Sequence, residues 1–345
     1  MVASVLRCAL AASLLVAVLA FGAATHASET RAWEGDFESG NLSQWDSVQD
    51  VGSDRITLER TNVRQGQYAA RFEVKPGDHW AGLMGGERAE VLKGMGETAG
   101  QESYWAWSTY FPKSFVSDPT AGFQMFTQWH STSNTNVSGV TFQVDKERLV
   151  VRVAGGANPT AWRGYDLGPL VRGAWQDFIV HVRWSPGPDG IVDVWRNGRA
   201  VAHATAPNIG IGLGTYVKQG FYRPPEQTTT VILADAMRYG TSLDAVDGPF
   251  ELRLAGKTHR AKGRVWFHVQ SFANTQISLS LSGRGGQTSS ARTIETNGNG
   301  EAWSSIACGA SCSKGHGHGR LTLVAHAAVD PNLPEAAKST QAPVR

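Results

Sequence analysis

The sequence predicts an all-β protein, a concanavalin-like β-sandwich of jelly-roll type followed by a small C-terminal β domain. Short runs rich in Val, Ile, Phe, Tyr, Trp and Thr alternate with clusters of Gly, Pro, Asn and Asp, which is typical of antiparallel strands. Asn197-Gly198 between two such runs indicates a two-residue hairpin, and no long amphipathic helical pattern competes. The runs lie at 104–111, 123–130, 140–144, 148–153, 178–184, 191–195 and 231–239.

Composition favours a globular, loop-rich chain. The 345 residues include 39 Gly and 12 Trp, a profile that fits one large domain and one smaller one. Lys and Arg number 32 against 30 Asp and Glu, and this small excess gives no reason to expect a nucleic-acid partner. An anionic ligand would therefore need a local patch of positive charge.

Residues 1–27 have the features of a secretory signal peptide. Arg7 precedes an apolar run at 10–21, and the small-residue end Thr25-His26-Ala27 follows before Ser28. No other stretch approaches the roughly 18 to 20 apolar residues of a membrane span. We therefore expect a secreted, extracellular protein that has no membrane partner once the signal is removed, and we expect a monomer.

The chain divides after the signal into three predicted regions. The sandwich domain covers 28–245, and a polar, turn-rich segment at its end leads into a small β accessory domain at 250–329. Carbohydrate attachment and simple stabilisation are both open as roles for that domain. The segment 330–345 has the Pro, Ala, Lys and Gln content of a disordered tail.

Two cysteines remain outside the signal segment. Cys308 and Cys312 are close enough in sequence to form a local disulfide in an oxidising compartment. Their spacing, with His316 and His318 nearby, also allows a zinc site, although the secretory context favours the disulfide.

Three segments predict strands that carry polar side chains on one face. Because successive side chains of a strand alternate between faces, each segment presents its polar residues together. The residues between them are apolar at Trp129, Val217 and Phe221, as a half-buried sheet requires. The polar sets are Arg88 with Glu90, Gln128 with His130, and Tyr216 with Lys218 and Tyr222.

In the same order, these segments resemble the Arg-x-Glu, Gln-x-His and Tyr-x-Lys-x-Gly-x-Tyr motifs of jelly-roll polysaccharide lyases. The resemblance covers roughly residues 33–239 and is nearest to the glucuronan lyases and heparin lyase I relatives, with alginate lyases more distant. Leu92 stands where alginate lyases have a second Arg, which argues against alginate. A dense run of Lys and Arg for sulfate is also missing, which argues against heparin.

The resemblance implies β-elimination, in which C5 of a uronate loses a proton, the C4 oxygen departs and a double bond forms. Arg88 and Gln128 would neutralise the carboxylate, while His130 and Tyr222 would transfer protons. In β-1,4-glucuronate the C5 hydrogen and O4 lie on the same side, so one residue can serve both steps. We assign that double role to Tyr222, helped by Lys218, with His130 either orienting it or acting as a separate base.

The remaining candidates concern binding. The substrate-binding set is His79, Glu90, Trp162, Arg163, Tyr216 and Lys218. The chemistry needs no cofactor, but Glu38 and Asp235 could contribute to a structural calcium site, with a solvated turn and a capping Asp as the alternative.

Together these features predict a secreted polysaccharide lyase that acts on an anionic polysaccharide, with β-1,4-glucuronan as the preferred polymer. A non-catalytic carbohydrate-binding β-sandwich and a lyase for heparin, heparan sulfate or alginate are the alternatives. A glycoside hydrolase on the same architecture would need paired catalytic carboxylates, and the sequence has no Glu-x-Asp-x-x-Glu strand.

Overall fold

A computed structural model describes residues 33–82, 85–118, 120, 122–132, 138–246, 252–261, 263–282, 288–308 and 321–344. The predicted signal peptide lies outside these residues. Across the described ranges, no helix is long and apolar enough to span a membrane. The fold is almost entirely antiparallel β, which confirms the predicted class.

The strands are short and follow one another with few long connections. They are β1 (Trp33–Gly35), β2 (Ser47–Gln49), β3 (Ile56–Glu59), β4 (Ala69–Val74), β5 (Glu87–Lys93), β6 (Glu102–Tyr110), β7 (Gln124–Ser131), β8 (Ser138–Asp145), β9 (Arg148–Val153), β10 (Arg163–Pro169), β11 (Trp175–Arg183), β12 (Ile191–Arg196), β13 (Arg199–Thr205), β14 (Thr215–Arg223), β15 (Thr230–Gly240), β16 (Arg253–Ala261), β17 (Arg264–Gln270), β18 (Gln276–Ser282), β19 (Thr288–Glu295), β20 (Glu301–Ala307), β21 (Thr322–Ala327) and β22 (Ser339–Pro343). A 3-10 turn lies at Trp80–Gly82, and a short α-helix, α1, lies at Glu335–Lys338.

Two large sheets form the sandwich. One has the order β13-β12-β11-β6-β15-β4-β3, with β1 added on β15, and the other has the order β10-β9-β8-β7-β14-β5-β2. Aromatic side chains from both sheets interlock between them: the Trp107 ring of the first lies 4.9 Å from the Phe142 ring of the second. Trp129, Val217 and Phe221 are fully buried in this core, as their alternation predicts. Their polar neighbours in sequence therefore face away from it.

The C-terminal region builds two smaller sheets, β16-β17-β20 and β19-β18-β21-β22, around a separate apolar core. It packs against the outer face of the eight-stranded sheet, where Ala106 and Ile179 meet Phe272 and Leu333. The guanidinium of Arg64 crosses this contact, because it pairs with Asp177 on β11 and donates to the carbonyl of Ser271. The seven-stranded sheet carries the candidate site on the opposite side of the sandwich.

The segment 330–345, which composition predicts to be a disordered tail, is ordered over its described residues. It forms α1 and then β22, which pairs along its length with β21. The reason is the placement of its few apolar side chains: Leu333, Ala337 and Val344 are each buried in a core. Composition averages over the segment and misses this spacing.

Cys308 is disulfide-bonded in the structure, which removes its thiolate as a zinc ligand. Cys312, His316 and His318 lie outside the described residues.

Candidate active site

Strand order brings the three sequence motifs together. β14 lies between β7 and β5 in the seven-stranded sheet, so the third motif is flanked by the other two. Across the β7 side, Tyr216 is opposite His130 and Lys218 is opposite Gln128. Across the β5 side, Tyr222 is opposite Arg88. The polar face predicted from the sequence is therefore one continuous surface.

Gly220 allows β14 to approach β5 closely. Its φ is +143°, a backbone conformation that side chains disfavour, and a Cβ there would lie 2.1 Å from the carbonyl oxygen of Ala89. The glycine of the third motif is therefore required by backbone contact beside Glu90, its partner in the register.

A buried charged cluster forms the middle of this face. Gln128 donates from Nε2 to Oε1 of Glu90 at 2.6 Å. The other oxygen of Glu90 lies 3.6 Å from the Arg88 guanidinium and 3.6 Å from the Lys218 ammonium. All four residues are at most 8 % exposed, so their geometry is set by packing as well as by charge.

Gln49 on β2 completes the cluster, and sequence analysis missed it. Its side-chain oxygen accepts from Lys218 Nζ at 2.8 Å and from Arg88 Nη1 at 3.3 Å. A single Gln in a three-residue strand gives no signal in a sequence. Only the pairing of β2 with β5, which places Gln49 opposite Glu90, reveals it.

The cluster holds two cations and one carboxylate, so it carries an excess positive charge. Burial lowers the pKa of Lys218, while the neighbouring Glu90 opposes that change. An anion placed on this surface would restore charge balance in a setting where water screens little.

His130 and Tyr216 stand beside one another at one end of the cluster. Their ring centroids are 5.2 Å apart, and both side chains are half-buried. Nδ1 of His130 lies 2.9 Å from the carbonyl oxygen of Ser131. Because a carbonyl can only accept, Nδ1 carries the proton and Nε2 of the neutral ring is left able to take one.

The electrostatics of this pair suit opposite proton-transfer roles. Burial lowers the pKa of His130, and the positive charges of Lys218 and Arg88 act in the same direction. Burial raises the pKa of Tyr216, and Glu90 adds to that effect. Near neutral pH the imidazole is therefore a neutral base and the phenol a protonated acid.

Tyr222 occupies the other end of the cluster. Its ring lies under the Arg88 guanidinium, with the central carbon 3.8 Å from the centroid, and Phe123 packs on it at 4.7 Å. Six residues of strand separate Tyr222 from Tyr216, which corresponds to roughly 20 Å. That separation runs along the backbone, and Arg88, which stacks on the Tyr222 ring, also acts on the charge of His130. The joint proton transfer assigned to Tyr222 and His130 from the sequence therefore stays a prediction.

The remaining residues that were predicted to bind substrate, His79, Trp162 and Arg163, lie around the edge of this surface. Nδ1 of His79 is 3.4 Å from the carbonyl oxygen of Gly86, and Gly86 lies against the Tyr222 ring. Trp162 and Arg163 lie at the start of β10, the edge strand three positions from β7, at a distance of roughly 14 Å from it. His79 is thus near the Tyr222 end, whereas the other two flank the site from a distance.

Glu38 and Asp235 both receive hydrogen bonds from the backbone of one loop. The Glu38 carboxylate accepts from the N–H groups of Gln67 and Tyr68, and Asp235 accepts from those of Arg64 and Gln65. Burial raises the pKa of Asp235 well above its usual value. In the part of the chain that the structure describes, no group of three or more His, Cys, Asp or Glu is arranged to hold a metal ion.

The fold and this surface define an antiparallel β-sandwich with a charged site on one sheet. A family model described as "Polysaccharide lyase" matches residues 37–238, more than half of the chain, and the protein belongs to that family. It is therefore a polysaccharide lyase, and its substrate is a polysaccharide. A comparison with curated proteins finds no match.

Several solved structures are similar to this chain at low sequence identity. An endo-β-1,4-glucuronan lyase from the fungus Trichoderma reesei is 17% identical, with a TM-score of 0.54 over 63% of this chain and 98% of that one. The alginate lyase AlyC3 is 14% identical, with a TM-score of 0.43 over 58% and 81% of the two chains. The catalytic domain of a glycoside hydrolase family 131 protein from Coprinopsis cinerea is 11% identical, with a TM-score of 0.45 over 62% and 95%.

Proposed function

We propose that this lyase is secreted and cleaves β-1,4-glucuronan by β-elimination, with His130 as the base and Tyr216 as the acid. The observation that carries the proposal is the placement of this pair beside a buried cluster with excess positive charge. A uronate needs both features, because its C5 hydrogen is acidic only when the adjacent carboxylate is neutralised.

The cluster would hold the carboxylate of the sugar that loses its proton. Arg88 and Lys218 supply positive charge, and the amide of Gln128 supplies a neutral donor. Glu90 and Gln49 fix these groups before substrate arrives, so little reorganisation is needed as charge builds on the carboxylate.

The reaction then moves two protons. Nε2 of His130 takes the proton from C5, the electron pair forms the C4–C5 double bond, and the C4–O4 bond breaks. The Tyr216 hydroxyl gives its proton to the departing O4. The resulting imidazolium and phenolate lie side by side, so the proton on His130 can return to Tyr216 and reset the site.

Glucuronan fits the arrangement of the pair. Its C5 hydrogen and O4 lie on the same side of the ring, and His130 and Tyr216 are neighbours on one face of one sheet. Leu92, in place of a second Arg, weighs against alginate. The fold shared with the fungal glucuronan lyase is consistent with this choice of polymer.

The test is to incubate the full chain with glucuronan, alginate, heparin and hyaluronan and to follow the ultraviolet absorbance of the unsaturated uronate. We expect absorbance to rise with glucuronan and to be unaffected by a chelator, since the proposed steps use no metal. A rise with another polymer alone would overturn the choice of glucuronan. New reducing ends without absorbance would overturn β-elimination.

A further inference from the structure

The C-terminal region exposes two tryptophans on one face of a small sheet. Trp303 on β20 is 76 % exposed and Trp266 on β17 is 45 % exposed. His268 is two residues from Trp266 on the same strand and directly opposite Trp303, so all three side chains share a face. We call Trp266, His268 and Trp303 the aromatic platform.

The platform is ordered by its own contacts. The Trp303 and His268 rings are parallel within 1° and their centroids are 3.9 Å apart. His268 is almost buried, and its Nε2 lies 3.6 Å from the Glu301 carboxylate. One face of the Trp303 indole is thus covered by the His268 ring, while most of the residue is open to solvent.

The core of the region does not need these indoles. The opposite face of the same sheet supplies Val265, Phe267, Val269 and Ile306 to the buried cluster. Large indoles left in water cost free energy unless something covers them. The platform therefore favours a ligand over a structural role.

We propose that the aromatic platform binds a polysaccharide chain, the acidic polymer that the catalytic site cleaves. Pyranose rings present apolar C–H faces that stack on flat indoles, while their hydroxyls remain at the edges for hydrogen bonds. The choice of an acidic polymer rests on the function proposed above. The inference that the platform binds a polysaccharide chain depends only on the geometry of the platform.

Charge around the platform agrees with an acidic ligand. Arg253, which is exposed, lies on the same face opposite Gln270, and Arg264 is on that face beside Trp266. Among the side chains that the structure describes on this face, the carboxylate beside these two cations is Glu301. A polyuronate would find a net positive edge here, as it would in the active site.

The exposed area of the aromatic platform also favours a sugar chain over a protein as the ligand. From full side-chain areas of about 250 Å², the two indoles expose together at most about 300 Å². A stable protein interface covers about 800 Å² on each partner. Two stacked sugars would cover the patch, whereas the patch alone is too small an interface to hold two copies of this chain together as a dimer.

The test is electrophoresis of the full chain through native gels that contain glucuronan, compared with gels that contain none. We expect the Trp266→Ala/Trp303→Ala variant to bind about tenfold more weakly, or worse, while its turnover of short oligoglucuronates stays at the wild-type level. Trp303→Tyr keeps an aromatic ring and should keep most of the retardation. Val116→Ala, which truncates another exposed apolar residue, 63 % exposed, is the matched control.

The outcomes separate the two proposals. Equal retardation of the wild type and the double variant would overturn the platform. Wild-type retardation by a neutral glucan in place of glucuronan would overturn the choice of an acidic polymer. A dimer that the double variant converts to monomer would overturn the platform as well. Loss of retardation in the double variant, with no unsaturated product from the wild type, would support the platform and overturn the proposed function alone.

Discussion

Tyr216 lies directly across from His130 in the register of β14 and β7, and their ring centroids are 5.2 Å apart. Tyr222, on the same strand and the same face, is instead opposite Arg88 and stacks against its guanidinium. The two phenols of the third motif therefore have different neighbours, and Tyr216 is the one whose ring packs beside the imidazole.

This difference predicts opposite effects for two matched substitutions. Tyr216→Phe should lower kcat on glucuronan by about 10²- to 10⁴-fold, the usual contribution of a general acid. Tyr222→Phe should keep kcat within about tenfold, because the ring that stacks on Arg88 is retained. The initial rate of absorbance increase measures both. An inactive Tyr222→Phe beside an active Tyr216→Phe would restore the assignment made from the sequence.

The pH dependence should follow from the same pair. Burial holds the pKa of His130 below its ordinary value of 6.5 and raises that of Tyr216 above 10. The base must be neutral and the acid protonated, so kcat/KM should fall only below pH 6.5 and only above pH 10. Rates measured from well below pH 6.5 to above pH 10, with circular dichroism to confirm folding, provide the check. An acidic limb centred above pH 6.5 would contradict a desolvated imidazole base.

Gln49 tests the role of the excess positive charge. Gln49→Glu would place a second carboxylate beside Lys218 and Arg88 and cancel that excess. We expect KM for glucuronan to rise about tenfold or more, with a smaller effect on kcat. Ser47→Asp adds the same charge to the same strand two residues away and is the control. Equal effects of the two variants would mean that overall charge, and not contact with the cluster, controls binding.

Alternation along strands was enough to predict the sandwich and the face that carries the site. Trp129, Val217 and Phe221 pointed inward, so Gln128, His130 and Lys218 had to point outward. Which tyrosine meets His130 depends on the register between β14 and β7, which are far apart in sequence, so no tight turn between them fixes that register. Gln49 was missed for the same reason, because its position depends on a three-residue strand at the edge of the sheet.

Glu97 is a buried carboxyl that is hydrogen-bonded next to the site, and its environment predicts how the stability of the fold changes with pH. Its side chain is 2 % exposed, and it accepts hydrogen bonds from Trp105 Nε1 at 3.2 Å and from the hydroxyl of Thr215, the residue before Tyr216, at 2.9 Å. Burial raises the pKa of Glu97 from 4.5 to about 7.

A carboxyl whose pKa is raised in the folded state stabilises the fold fully below its unfolded pKa. That stabilisation is lost as pH rises through the folded pKa. The loss should extend from about pH 4.5 to just above pH 7 and reach at most about 3 kcal/mol. Glu97→Gln keeps an acceptor oxygen but cannot ionise, so its urea midpoint should not show this decline. Glu295→Gln, at an exposed position, should follow the wild type, and parallel pH curves for all three proteins would show that Glu97 does not titrate in this range.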